Sequence, residues 1–208
     1  MSHLTKSRIL EAAIRLFSDN GVANVRLQHI ADEAGISVGN LAYHFKNKEA
    51  IVTAVYEQLF DSFSEILSSY LLTPTLADFD EQMAKYYRFF FRHKFYLIDL
   101  FEAERSYPAI LQRWHQMVGK MLIQIRKRLD YYMQRKVLQA EPAPGIYDSL
   151  TQNIWMSIVF WLPQQTLKGQ PATEEHFKGA VWALIAPYLT ERGREEFAAE
   201  VSAAGPIR

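Results

Sequence analysis

The sequence predicts an all-α protein, with a three-helix helix-turn-helix domain at its N-terminus and a larger helical bundle after it. Three observations lead there. Apolar residues recur at helical spacing through nearly the whole chain, with no strand-like alternation and no internal repeat. The spacing breaks at stretches rich in Gly or Pro, namely Asn20-Gly21, Leu72-Thr73-Pro74-Thr75, Glu141-Pro142-Ala143-Pro144-Gly145 and Lys168-Gly169-Gln170-Pro171. Between Leu27 and Lys48, two short helices are joined by about three residues that include Gly35, the arrangement whose second helix enters a major groove.

Taken in order, Thr5 to Asn20 forms an amphipathic helix with Ile9, Ala12, Ala13, Leu16 and Phe17 on its buried face and Thr5 as candidate cap. In the next helix Leu27, Ile30, Ala31 and Ala34 share a face, and Gly35 ends it in the left-handed conformation that glycine tolerates. Ser37 is placed to cap a helix over Val38 to Phe45, anchored by Leu41 and Phe45, which leaves Val38, Gly39, Asn40, Ala42, Tyr43 and His44 for solvent or a ligand. Asn47 caps a long helix reaching about Ser69, with Glu49 at its positive end. The domain division is expected near Asn47, giving domains 1–47 and 48–208 with this long helix as the mechanical link.

Helices then follow over Leu76 to His93, Phe95 to Ser106, Pro108 to about Lys136, Ile146 to Gln165 and Thr173 to Leu189. Pro108 suits a helix start, and the helix it opens is expected to be the longest. The charged, alanine-rich tail from Glu191 is either a short helix or frayed.

The totals exclude several classes. With 208 residues, 23 basic and 23 acidic side chains, there is no global positive field, although Met1 to Lys48 carries a mild basic excess. Cysteine is absent, so neither disulfides nor thiolate metal sites are available. His29, His44 and His93 lack ligand spacing, and neither a metal nor a cofactor is expected. The most apolar run, Ile154 to Leu162, ends at Pro163 and is far short of the roughly 20 residues of a membrane span. The amino terminus lacks a signal-peptide core, so a soluble cytoplasmic protein is expected. Neither a G-x-S-x-G nucleophile motif nor a phosphate loop appears.

The stretch LQHIADEAGISVGNLAYHFKNKEAIV, preceded by the first helix, resembles the TetR family of bacterial transcriptional regulators. The resemblance covers about the first fifty residues, and the rest is similar in helix number, size and order. It implies that Gln28, Val38, Gly39, Asn40, Tyr43 and His44 lie where family members touch DNA, with Lys48 on a phosphate. Chemistry supports those roles. The amides of Gln28 and Asn40 can pair with adenine, Val38 can pack on a thymine methyl, and Gly39 lets the backbone approach. Tyr43, His44 and Lys48 suit phosphate oxygens, as does Arg26 beside them, and Ser37 completes this DNA-facing group as its cap.

Two departures stand out. Arg26 stands where the family usually has a small hydroxyl cap, and Ala42 where it usually has an aromatic residue on a phosphate, a role that Tyr43 is expected to take over. The plain alternative for Tyr43 and His44 is cover for the small core.

The region Phe79 to Trp161 is dense in aromatic and methionine side chains, material for a core and for an apolar cavity with a few polar handles. Resemblance to the family implies an effector pocket there, for which Tyr86, Phe90, Phe101, Trp114, Met117 and Trp155 are the candidates. The last two helices of the bundle are apolar on more than one face, and by the same resemblance they pair in a four-helix homodimer interface. The expected partners are therefore a double-stranded, palindromic DNA operator, a small apolar or amphipathic effector, and a second copy, without a membrane. Effector entry is expected to shift the helix from Asn47 and lower operator affinity. Two rivals are an enzyme in the helical domain, for which no catalytic pair is visible, and an interaction protein whose reading helix no longer binds DNA. Glu102, Glu104, Asp78, Asp80 and Glu81 read as solvated charges.

Overall fold

The computed structural model describes residues 2–69, 74–98 and 107–201. Among these the secondary structure is helical: α1 Ser2–Asn20, α2 Leu27–Glu33, α3 Val38–His44, α4 Lys48–Ser68, α5 Leu76–Arg92, α6 Phe95–Ile98, α7 Pro108–Gln134, α8 Ile146–Lys168, α9 Glu174–Ile185 with a 3-10 turn Ala186–Tyr188, and α10 Glu191–Glu200. The single bridge of strand type among the described residues pairs Leu138 with Leu189. None of these helices is long and apolar enough to cross a membrane.

Helix starts follow local chemistry, with one correction. Asn47 Oδ1 accepts the Ala50 N–H at 2.9 Å, as a cap should. Thr5 is no cap, because α1 begins at Ser2 and Thr5 lies inside its first turns. The α8 helix passes through Pro163 and runs on to Lys168, ending where Gly169 takes φ 61° and the Gln170 N–H returns to the Gln165 carbonyl. The tail is a helix, α10, with Thr190 as its cap.

The chain divides into two compact units. The first holds residues 1–64 and 92–116, the second 65–91 and 117–208. The first unit reaches past Asn47 for a packing reason. In the first unit Ile51, Val52, Val55 and Tyr56 of α4 are fully buried with Ile9, Phe17, Ile30 and Leu41. A chain of rings then ties α6 and the start of α7 to them: Phe17 to Phe95 at 5.8 Å, Phe95 to Tyr56 at 6.2 Å, Tyr56 to Tyr96 at 5.6 Å and Tyr96 to Trp114 at 5.5 Å between centroids. Burial, the main cause, holds the Tyr96 phenol well above its usual pKa.

In the second unit Met83, Tyr132, Tyr147, Ile154, Ile158, Val181 and Ile185 are fully buried. Two of the supposed solvated acids belong to this interior and its helix caps. Asp80 accepts from Lys178 Nζ at 2.6 Å and from Trp182 Nε1 at 2.9 Å, with both charged side chains mostly buried. Asp78 forms a reciprocal cap with Thr75, accepting the Thr75 N–H at 2.8 Å while Thr75 Oγ1 accepts the Asp78 N–H at 3.2 Å. Glu81 does stay at the surface, paired with Arg88 at 2.7 Å. Glu102 and Glu104 lie outside the described residues.

Candidate nucleic-acid interface

Helix α2 starts without a side-chain cap from Arg26, whose backbone is extended at the N-cap position. Capping comes instead from within the helix, where His29 Nδ1 accepts the Arg26 N–H at 3.3 Å, which requires that nitrogen to be unprotonated. That leaves the exposed Arg26 guanidinium uncommitted to the helix. Gln28, also exposed, donates from Nε2 to Asp32 Oδ1 one turn later at 2.7 Å.

The turn between the helices is fixed by backbone and side chain together. Gly35 takes φ 65°, and the Ile36 N–H reaches back to the Ala31 carbonyl at 3.0 Å. From α1, the Arg8 guanidinium donates to the Ala34 carbonyl, and Arg15 pairs with Glu33 at 2.9 Å. Neither anchor is visible in the sequence pattern. Ser37 Oγ accepts the Asn40 N–H at 3.1 Å, the expected cap of α3.

Leu41 at 0% and Phe45 at 8% exposure root α3 and its C-cap in the core. Gly39, Asn40, Ala42 and Tyr43 are exposed, while Val38 and His44 are half-buried. Tyr43 is 82% exposed, which rules out its reading as core cover, and its ring meets His44 edge-on at 5.2 Å. The Asn40 side-chain amide has no hydrogen-bond partner among the described residues. Lys48 is half-buried and donates to the Ala23 carbonyl at 3.2 Å; partial burial lowers its pKa below the usual lysine value. Its ammonium keeps further N–H groups for another acceptor.

The six effector candidates are not all brought together. Tyr86, Phe90, Met117 and Trp155 belong to the second unit, the first three buried and Trp155 half-buried. Trp114 belongs to the first, in the ring cluster with Phe60 and Tyr96. Phe101 lies outside the described residues. The second unit also buries polar residues not singled out from the sequence, Gln82, Arg128 and Thr151. Arg128 lies over the Phe79 ring at 4.9 Å. The Tyr86 phenol is pushed up to about 12, chiefly by burial, against smaller opposing effects of Gln82 and Arg128. Arg128 was legible in principle, since it falls on the α7 stripe of Met117, Met121, Ile125 and Leu129. No three of His, Asp or Glu gather to hold a metal among the described residues.

Comparison with known proteins matches this geometry. A family model described as bacterial regulatory proteins of the tetR family covers residues 9–55, and one described as a bacterial transcriptional repressor covers residues 55–197, well over half of the chain. The chain belongs to the TetR family of bacterial transcriptional regulators. Members of the TetR family are DNA-binding regulators rather than enzymes. Over 56 residues this chain is 46% identical to the HTH-type transcriptional regulator RutR of Escherichia coli strain K12, a match to 27% of this chain and 26% of that one. Over 66 residues it is 35% identical to AcrR of Shigella flexneri, covering 32% and 31% of the two chains. These matches thus span less than a third of the relatives' length. A TetR-family regulator from Marinobacter aquaeolei VT8 superposes with a TM-score of 0.83 at 25% identity over 97% of this chain and 98% of that one. The SmeT–triclosan complex shares the fold, with a TM-score of 0.58 at 19% identity over 90% and 93% of the two chains.

Proposed function

We propose that this protein is a transcriptional repressor of the cytoplasm, binding a palindromic operator as a homodimer and released by a small apolar or amphipathic effector, with no resident cofactor. The observation that carries the DNA-binding part is the outer face of α3. Gly39, Asn40, Ala42 and Tyr43 stand free of the fold while Leu41 and Phe45 hold the helix from behind. Gly39 adds a telling detail. A Cβ built there would meet only Ser37 Oγ, at 3.9 Å, so the fold itself does not call for glycine. Glycine inside a helix costs about 1 kcal/mol relative to alanine, and close approach to an external backbone or base edge accounts for tolerating that cost. Replacing Gly39 by alanine is therefore expected to raise thermal stability slightly and to weaken DNA binding; a variant equally stable or less so, with unchanged affinity, would count against this role.

Base readers are then Gln28, Asn40 and Val38, and phosphate holders are Arg26, Tyr43, His44 and Lys48, with Ser37 fixing the start of α3. The exposure of Tyr43 suits it to grip the phosphate that Ala42 is too short to reach. Support for dimerisation comes from apolar groups left at the surface of α8 and α9. Ile146, Met156 and Leu167 are exposed, and Gly179, Ala180 and Ala183 are small enough for close helix approach. A dimer places two reading helices about 34 Å apart on one side of the duplex. For the effector, Tyr86, Phe90, Met117 and Trp155 remain the candidates, with the SmeT–triclosan complex as a precedent for a small aromatic ligand on this fold.

The direct test is fluorescence anisotropy or gel shift with DNA flanking the protein's own gene, at low and stated salt. Failure of a folded dimer to bind would favour an interaction protein with an idle reading helix. Within that assay, Lys48→Gln keeps a donor for the Ala23 carbonyl but removes the charge. It is expected to weaken binding to all sequences alike and to flatten the slope of log affinity against log salt by about one unit per subunit. An unchanged slope would remove Lys48 from the phosphate contacts.

A further inference from the structure

We infer that Asp32 is a specificity-determining residue, which turns the Gln28 amide into a reader of bases that present an exocyclic amine, adenine or cytosine, and against guanine and thymine. The inference rests on the reading of Gln28 as a base contact and goes beyond it. A glutamine amide is chemically ambivalent. Its carbonyl accepts and its amino group donates, so an untethered Gln at a groove can present either end. Opposite bases demand opposite ends: adenine N6 and cytosine N4 are donors in the major groove, while guanine O6 and thymine O4 are acceptors.

Here the amide is tethered. Gln28 Nε2 donates to Asp32 Oδ1 at 2.7 Å, with both residues exposed on α2 and one turn apart. An ionised carboxylate only accepts, so the amino end must be the one facing Asp32, and a flip would set Oε1 against a carboxylate oxygen. The tether holds one of the two amide N–H groups on Asp32 and keeps the amino end turned toward that carboxylate, so the carbonyl, with both lone pairs unused, is the end turned toward a base. The residues around the pair leave it intact. Arg15 is committed to Glu33, and the Asp32 backbone carbonyl, not its carboxylate, takes the Gly35 N–H. An alternative is that the pair merely strengthens a short helix, as i,i+4 Gln and Asp do. That role would show in stability and not in base preference.

The experiment is selection of binding sites from a random duplex library by the full-length protein, followed by competition binding with each base at every position of the selected site. It compares wild type, Gln28→Ala, Asp32→Ala, Asp32→Asn and Asp32→Glu, each checked by thermal melt. The position whose preference vanishes in Gln28→Ala identifies the base it reads. There, wild type is expected to favour adenine or cytosine by about tenfold over guanine and thymine. Asp32→Ala and Asp32→Asn should lose that preference while gaining affinity for random DNA, because a negative charge is removed. Asp32→Glu keeps an acceptor-only partner and should restore the preference. If Asp32→Ala or Asp32→Asn keeps the wild-type preference, or if the Gln28 position prefers guanine or thymine, or if Gln28→Ala leaves every position unchanged, the inference is overturned. Failure of folded wild type to enrich any site overturns the DNA-binding reading itself.

Discussion

Gly193→Ala is expected to destabilise the protein by about 2 to 3 kcal/mol, and to lower its melting temperature by roughly 4 to 12 °C for a chain of this size. A Cβ at Gly193 would collide with the Val137 carbonyl oxygen and sit 3.1 Å from Leu189 Cδ2. The first neighbour cannot swing aside. The Val137 carbonyl is held by the Thr190 N–H at 3.0 Å and Thr190 Oγ1 at 3.2 Å, and Thr190 in turn caps α10 by accepting the Gly193 N–H at 3.0 Å. One methyl group therefore acts against both the packing and the capping of α10. Alanine returns up to about 1 kcal/mol as a better helix former, which is smaller than the cost of separating α10 from the chain at Val137. The damage extends further, because Glu196 on the same helix pairs with Arg135 at 2.8 Å and accepts the Leu76 N–H at the start of α5 at 3.3 Å. Calorimetry of wild type and variant decides the matter, and an unchanged or higher melting temperature would show that the close approach does not exist in solution.

Gly193 also shows where reading the sequence stops. It sits in Glu-Arg-Gly-Arg-Glu-Glu, which looks like a solvated tail because its partner, Val137, is more than fifty residues away. Asp80 looks solvated for the same reason, since Lys178 and Trp182 lie about a hundred residues on. The helix-turn-helix, by contrast, is built from signals a few residues apart: Gly35 for the left-handed turn, Ser37 and Asn47 for caps, Leu41 and Phe45 for anchorage. What that stretch conceals is a donor from another helix, Arg8 to the Ala34 carbonyl, and a cap of unusual type, His29 standing in for Arg26. The unit boundary is hidden because it depends on the α6 rings packing on Tyr56 and the α7 ring of Trp114 packing on Tyr96, which no local pattern encodes. Candidate DNA contacts were legible for a further reason: a surface helix with two anchors leaves its other residues exposed by geometry alone. The effector candidates had no such geometry, only composition.

On the proposed reading, in which a homodimer binds two half-sites, Asn40→Ala is expected to weaken operator binding strongly, because the base contact is lost at both. The Asn40 side-chain amide meets no partner within the described residues, and the bond that caps α3 runs through its backbone N–H, which alanine keeps. Truncation should therefore leave stability within about 0.5 kcal/mol of wild type, so weaker binding cannot be charged to misfolding. If each amide makes a bidentate contact with adenine, each half-site loses about 1 to 3 kcal/mol, and the dimer about 2 to 6, which is roughly 30-fold to 20,000-fold in affinity. The removed group is neutral, so the slope of log affinity against log salt should stay as it was, in contrast to Lys48→Gln. Binding to random DNA should also be preserved. These three readouts separate base reading from the other ways a reading helix can fail. Removing a grip on phosphate would weaken random and specific DNA together, and a disturbed α3 would lower the melting temperature. Only the removal of a base-reading group takes away specific affinity alone, and if Asn40→Ala kept both its preferred site and its affinity there, the outer face of α3 would have to read DNA through Val38 and Gln28 without it.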